Sequence, residues 1–344
     1  DEARVFQGFN DDIRTEIRDT RLYWIEEDVL SSTLRGEHLF ADLANSRIDW
    51  RLNYSRAERN EPDLRETLYE FNPAVSDFVL ADESQSGFRM FNDLDDRVWD
   101  AGVDWSIFFS QWGGLPAELK LGGSYSNRER DFTSRRFRLT PRNVIGLDLS
   151  QDAEVLFAPE NIGPFFELKE ETRNTDTYSA THDLYSGYAM LDLPLSRKLR
   201  FVGGARIESS DQEVRTFDPF AVTPRVETAV LDDVDILPGI NLVYGLTNEM
   251  NVRGSFSRTV NRPEFRELSP FEFTDVVGGR AIVGNPNLKR ATIDNFDLRW
   301  EWFTGPGEVV AVSVFHKEFT DPIERIVEPT AQLRTSFDNA LGAT

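Results

Sequence analysis

The chain of 344 residues has no cysteine. That excludes a disulfide framework and a thiolate metal site. Histidine is almost as scarce. His38, His182 and His316 stand far apart, too few for a histidine metal centre and without the spacing of a nucleophile–base–acid set. No cofactor and no catalytic role are therefore expected. No run of about 18 apolar residues occurs, so no helix is expected to cross a membrane. Positive charge is also short. Lys plus Arg is 38 against 60 for Asp plus Glu, a formal net charge of −22. A nucleic-acid partner needs the opposite balance. The glycine pairs in "GGLPAELK" and "VVGGRA" fit no phosphate-binding loop. The chain opens on "DEARVFQGFNDD", which is charged and carries no signal peptide.

Aromatic residues are plentiful: 26 Phe, 7 Trp and 8 Tyr. Yet the mean hydropathy is −0.44. The two facts are compatible if the aromatic and aliphatic residues take every second position. They do so repeatedly. In the stretch from Leu237 to Arg258, Ile240, Leu242 and Tyr244 share one side of a first run. Met250, Val252, Gly254 and Phe256 share one side of a second. Ile48, Trp50, Leu52 and Tyr54 alternate with Arg47, Asp49, Arg51 and Asn53. The same rhythm runs through 99–109, 117–126, 199–208 and 295–302. Period-2 alternation on this scale predicts antiparallel strands with one apolar and one polar face.

Ten strands are predicted, at 18–40, 47–59, 97–110, 116–138, 178–193, 198–214, 234–245, 249–259, 293–303 and 308–319. The connections alternate. The segments 41–46, 111–115, 194–197, 246–248 and 304–307 are tight, whereas 60–96, 139–177, 215–233 and 260–292 are long. An up-and-down transmembrane β-barrel makes that alternation by construction, with apolar faces toward lipid and polar faces toward a wet lumen. A soluble β-sandwich or propeller with its apolar faces inward is the competing architecture. Trp24, Trp50, Trp99, Trp105, Trp112, Trp300 and Trp302 fall on or beside the strands, as an interfacial girdle requires. The acidic clusters Asn92 to Asp100 and Leu231 to Ile236 lack the spacing and glycine of a calcium loop and are read as solvated loop ends.

Several motifs then resemble one family. "SFSRTVNRPEFRELSPF" (Ser255 to Phe271) is followed by "GNPNLKRATIDNFDLRWEWF" (Gly284 to Phe303) and "VSVFHKEFTDPIERIV" (Val312 to Val327). Arg262-Pro263, Gly284-Asn285-Pro286, Asn295 with Asp297, and Phe315 to Lys317 with Pro322-Ile323 occur in order. The upstream "LRGEHLF" (Leu34 to Phe40) matches more loosely. The series resembles the C-terminal barrel region of TonB-dependent outer-membrane receptors.

The resemblance implies an all-β fold, an antiparallel barrel of 22 strands of which this chain supplies about ten. Residues 1–344 would then be a partial barrel domain, with short periplasmic turns and long extracellular loops. The plug domain and the final strands would lie outside it. It implies the outer membrane of a Gram-negative bacterium and contact with its lipid. It also implies uptake of a scarce nutrient (ferric siderophore, haem, cobalamin or glycan), energised by TonB-ExbB-ExbD through the plug. A passive porin-like channel is the alternative that shares the strand rhythm. On this resemblance Arg258, Arg262, Glu264 and Arg266 are expected at the loop mouth, and Arg253, Arg299 and Glu301 on the lumen wall. An anionic ligand such as a ferric catecholate would favour the arginines. Pairing of these charges with one another or with the plug is the other role open to them. No nucleic acid is expected.

Overall fold

The structure is a computed structural model that describes all residues except 1, 11–13, 44, 84–85, 174, 218–225, 271, 274–281 and 328–344. The glycine pair Gly278-Gly279 therefore lies outside the described residues. The strands are β1 (Glu2–Asn10), β2 (Thr15–Tyr23), β3 (Glu26–Phe40), β4 (Ser46–Asn72), β5 (Asp77–Leu80), β6 (Phe88–Ser110), β7 (Pro116–Pro141), β8 (Phe166–Glu170), β9 (Tyr178–Pro194), β10 (Leu199–Thr216), β11 (Glu227–Gly245), β12 (Met250–Asn261), β13 (Glu272–Phe273), β14 (Ile282–Val283), β15 (Ala291–Gly305) and β16 (Glu308–Thr320). Two single-turn helices, α1 (Ala153–Leu156) and α2 (Phe265–Leu268), sit in the long connections.

One antiparallel sheet runs β1-β2-β4-β6-β7-β9-β10-β11-β12-β15-β16, with β3, β5 and β8 added beside β4 or β7. Neighbours in sequence are neighbours in space, as an up-and-down meander requires. Register carries the sequence pattern across the whole sheet. Ile107, Leu119, Leu191, Gly203, Ile240, Phe256, Phe296 and His316 form one cross-strand row. The adjacent row is Arg47, Ser106, Lys120, Met190, Gly204, Gly239, Ser257, Asn295 and Lys317. A slip of one residue at any pairing would have flipped a strand, and no such slip occurs along these rows. The apolar alternation of separate segments therefore merges into one continuous apolar face. Leu242, Val103 and Leu298 on it are 42%, 49% and 57% exposed.

The strands reach well past that apolar band. On β4 the band runs from Ile48 to Tyr54, and about nine residues suffice to cross a bilayer at a tilt. Yet β4, β6 and β7 have 27, 23 and 26 residues. The predicted loop 60–96 is thus corrected. Most of it is strand, in the upper parts of β4 and β6 and in β5. Pro62 cannot donate to a ladder. The chain accommodates Pro62 in a bulge. Four residues of β4, 61–64, face only three, 23–25, on one side and the pairing shifts between Glu61 and Leu64 on the other. The same irregularity divides the predicted strand 18–40 into β2 and β3. Above the bulge the faces of β4 exchange, as an extra residue demands, so Leu64, Glu66 and Leu68 join the polar side.

The five connections predicted to be tight all lie at one end, called here the turn end. The long ones lie at the other, the loop end. The segment 139–177 holds α1 and β8, and 260–292 holds α2 and the small β13–β14 pair. The girdle is partly as expected. Trp112 is in a turn, Trp300 and Trp302 pack 6.5 Å apart near the turn end, and Trp99 packs at a tilt against Tyr54, 4.5 Å between centroids, where the band stops on the loop side. Trp50 and Trp105 instead lie within the band, and Trp24 lies above it. Gly36, in the "LRGEHLF" stretch, pairs with Trp50. A Cβ there would meet the indole at 2.5 Å, and Trp50 Nε1 donates to His38 at 3.1 Å.

Candidate functional site

The polar face carries many charges, and α2 with its flanking residues packs onto it. Pro263 leads into α2, whose Glu264 N-cap and Glu267 form a reciprocal capping box. That satisfies backbone donors on a turn too short to stabilise itself. Phe265 and Leu268 then pack against Tyr178, Ala180, Val214 and Ala229 of β9, β10 and β11. Gln212 donates to the Pro263 carbonyl at 2.9 Å. Arg128 and Arg130 of β7 lie over the Phe265 ring, 5.1 and 5.5 Å from its centroid. Gly284 closes the loop. A Cβ there would strike the carbonyls of Ser269, Arg266 and Glu267, and the next amide, Asn285, donates to Glu267 O at 2.6 Å. The Gly284-Asn285-Pro286 motif thus has a steric reason.

Beside α2 the sheet divides. β11 pairs with β10 along its whole length, but with β12 only over Gly239–Gly245. The parting begins at Pro238, which has no N–H to share. Two arginines bridge it. Arg262 binds Glu208 of β10 at 2.9 Å and Asp235 of β11 at 2.8 Å. Arg290 binds Asp235 at 2.7 Å and Asp233 at 3.3 Å. Arg206 adds a contact to Glu208 at 2.6 Å. The carboxylates Glu208 and Asp235 are buried, so each needs these partners. His182, hydrogen-bonded to Ser210 at 2.9 Å, is shifted below the usual imidazole value by burial and by Arg262 and Arg128. Burial would raise Asp96, but hydrogen bonds from Arg128 and Arg130 outweigh it and hold the carboxyl below its usual range.

Nearer the turn end, Arg253 and Arg299 face each other across β12 and β15, and both bind Glu301, at 2.8 and 2.9 Å. These three residues share the polar face, as expected. Arg258 does not. It follows Phe256 on the apolar side, just above the band, and pairs with Asp294 directly opposite at 2.7 Å. The expectation that it lines the mouth is corrected, because even-numbered residues of β12 share one face. Glu264 approaches Arg128 at 3.5 Å, and Arg266 is exposed on α2. The two acidic clusters are not solvated loop ends. They lie in β6 and β11 and supply partners for Arg56, Arg97, Arg128, Arg130, Arg262 and Arg290. Among the described residues, no group of three His, Asp or Glu is placed to hold a metal ion.

A family model described as "TonB dependent receptor-like, beta-barrel" matches residues 5–344. The chain belongs to this family. Its fold is that of an outer-membrane receptor barrel, and its place is the Gram-negative outer membrane. A segment of 107 residues is 35% identical to the "Iron-regulated outer membrane virulence protein" of Vibrio cholerae serotype O1, strain O395, covering 31% of this chain and 16% of that protein. The same protein from strain N16961 matches at 35% over 106 residues, again 31% and 16%. Among solved structures, the open form of the ferric-catecholate import receptor Fiu from E. coli K12 superposes with a TM-score of 0.52 at 14% identity. It covers 89% of this chain and 41% of that one. The chain thus spans well under two thirds of the relatives it matches.

For a receptor barrel, the residues that sequence reasoning missed are Arg128, Arg130, Arg206, Glu208, Asp233, Asp235 and Arg290. Each sits at a polar-face position of a strand or just beyond one, so alternation did signal the side of most of them. It could not signal their convergence, which depends on loop 260–292 folding onto the sheet.

Proposed function

We propose that this chain is part of the barrel wall of a TonB-dependent transporter that binds a scarce nutrient at the loop end and admits it to the periplasm. The nutrient class that the relatives' names support best is a ferric siderophore. Short turns would face the periplasm and long loops the outside, with the apolar band in lipid. A plug domain elsewhere in the protein would couple the barrel to TonB-ExbB-ExbD. Residues 1–344 would supply about ten of 22 strands. The observation that carries this reading is the single apolar face shared by every long strand, backed by a polar face onto which a loop is folded and pinned.

On this reading Arg262, Glu264 and Arg266 border the ligand path at the loop end, and Arg253, Arg299 and Glu301 line it below. Their existing partners mean that an anionic ligand would compete for arginines already held by carboxylates. No catalytic role is proposed.

The test uses the whole receptor in its own bacterium under iron limitation. Uptake of iron-55 supplied as ferric catecholates is expected to fall when the gene is deleted, and to fall equally when TonB is deleted. Uptake that survives loss of TonB, with steady conductance in planar bilayers, would instead mark a passive channel.

A further inference from the structure

Above the membrane band, β2 lies against the upper part of β4, and this seam holds an unusual carboxylate. Asp19 is fully buried, and among the described residues no donor gives either of its oxygens a hydrogen bond. Its surroundings are apolar on one side, where Ile17, Leu68 and Ala81 form a small core. Phe6 of β1 pairs with it on one side and Leu68 of β4 on the other. On the other side is a second buried carboxylate, Glu66. Arg21 gives Glu66 two hydrogen bonds, at 2.9 and 2.6 Å, and both go to Oε2. These two bonds bring the guanidinium to one oxygen of Glu66.

The other charged groups near the seam do not change this. Arg4 on β1 pairs with Glu2 near the surface, Glu70 is further along β4, and Glu83 faces Glu70. An ionised carboxylate with no donor in a dry site is costly, and two adjacent ones are costlier. A carboxylic acid beside a carboxylate has no such difficulty, because its O–H donates to the neighbour.

We propose that Asp19 and Glu66 share one proton, and that this proton latches the β1–β2 hairpin onto β4 at the mouth of the barrel. Asp19 is the protonated partner, and its O–H donates to Glu66, which Arg21 holds. Burial first and Glu66 second push the Asp19 carboxyl up to about 7, against an opposing effect of Arg21. The sign follows. Once the hairpin leaves β4, Asp19 regains its ordinary acidity, so the docked state binds more protons than the released one. Docking is then full at low pH and weakens as pH rises from about 4 through 7. The hinge for release is at hand, since β2 and β3 are separated by Trp24-Ile25 opposite the bulge at Pro62. The device is distinct from ligand binding and stands or falls apart from the transport reading.

The experiment is hydrogen exchange by mass spectrometry on the whole receptor in detergent, corrected for intrinsic rates, at pH 5.5 and 8. Peptides covering 15–23 are expected to lose protection by about tenfold or more at pH 8. Peptides from β10 should not change. Asp19→Asn, which keeps a donor for Glu66 but has no charge to acquire, should be protected equally at both pH values. Glu66→Gln should reduce the dependence while leaving the barrel folded, since burial of Asp19 remains. Equal protection of the unaltered receptor at both pH values overturns the proposal. So does full recovery of protection at pH 8 on adding calcium, which would make the pair a cation site. Loss of protection in Asp19→Asn at both pH values also overturns it, since that outcome would require a negative charge at residue 19.

Discussion

The loop end and the band toward the turn end use the same apolar residue types in opposite ways. At the loop end, Phe166, Leu156, Leu268 and Phe265 are almost completely buried against other side chains. In the band, Leu242, Val103 and Leu298 look outward and stay about half exposed. The first is the packing of a water-soluble domain, where burial removes apolar surface from water. The second is stable only where the surroundings are themselves apolar, as in the outer membrane. The charged residues follow the division. Above the band arginines and carboxylates occupy both faces, whereas within it they keep to the polar face, as with Arg253 and Glu301. One continuous sheet thus passes between two solvents, and each strand changes its rule where it leaves the bilayer.

The comparison is broken most severely by opening the dry core. Phe265→Ala should cost about 3–5 kcal/mol of the docking of loop 260–292, because the ring lies under two arginines and against four buried residues. Limited proteolysis within 262–290 should accelerate while the band resists protease as before. Cleavage unchanged from that of the unaltered receptor would show that α2 does not anchor the loop.

The band is tested by charge. Val252→Arg places a cation on the apolar face and should destabilise the folded barrel by about 2–4 kcal/mol in a bilayer folding assay. Its neighbour Asn251→Arg, on the polar face, should cost much less. Equal losses would mean that the two faces have been exchanged.

Acid sharpens the contrast more gently. Asp96 has a depressed value when folded, so its contribution is present above the ordinary carboxyl value of 3.8 and is lost as pH falls through the lower, folded value. Exchange protection at Arg128 and Arg130 should decline below about pH 4. The reverse trend, protection that rises on acidification, would contradict the pairing. Asp19 carries the opposite sign, so one titration separates the two sites.

The smallest effect is expected from Arg258→Ala. This pair with Asp294 is exposed and screened, so the thermal midpoint should not move measurably. A clear drop would show that Arg258 has a partner beyond Asp294.

How much of this was legible beforehand depends on distance along the chain. Each of the ten predicted segments contains a long strand, because period-2 alternation is a local property. The faces of Arg253, Arg299 and Glu301 were legible for the same reason. Arg258 was misplaced because it was assigned by nearness to a loop rather than by its parity with Phe256. The stretch 60–96, expected as a loop, is mostly strand, because pairing on both sides of β4 carries it past the bulge at Pro62.

Residue order by itself determined the strands, their two faces, the alternation of short and long connections and the family likeness. Those features rest on neighbours two residues apart and on motifs read in line. The tertiary structure decided which charges meet: Arg262 with Glu208 and Asp235, Arg128 with Asp96, Asp19 with Glu66. These partners are separated by tens of residues, and register brings together those on paired strands. Where β11 and β12 part, the fold of the intervening loop brings together the rest.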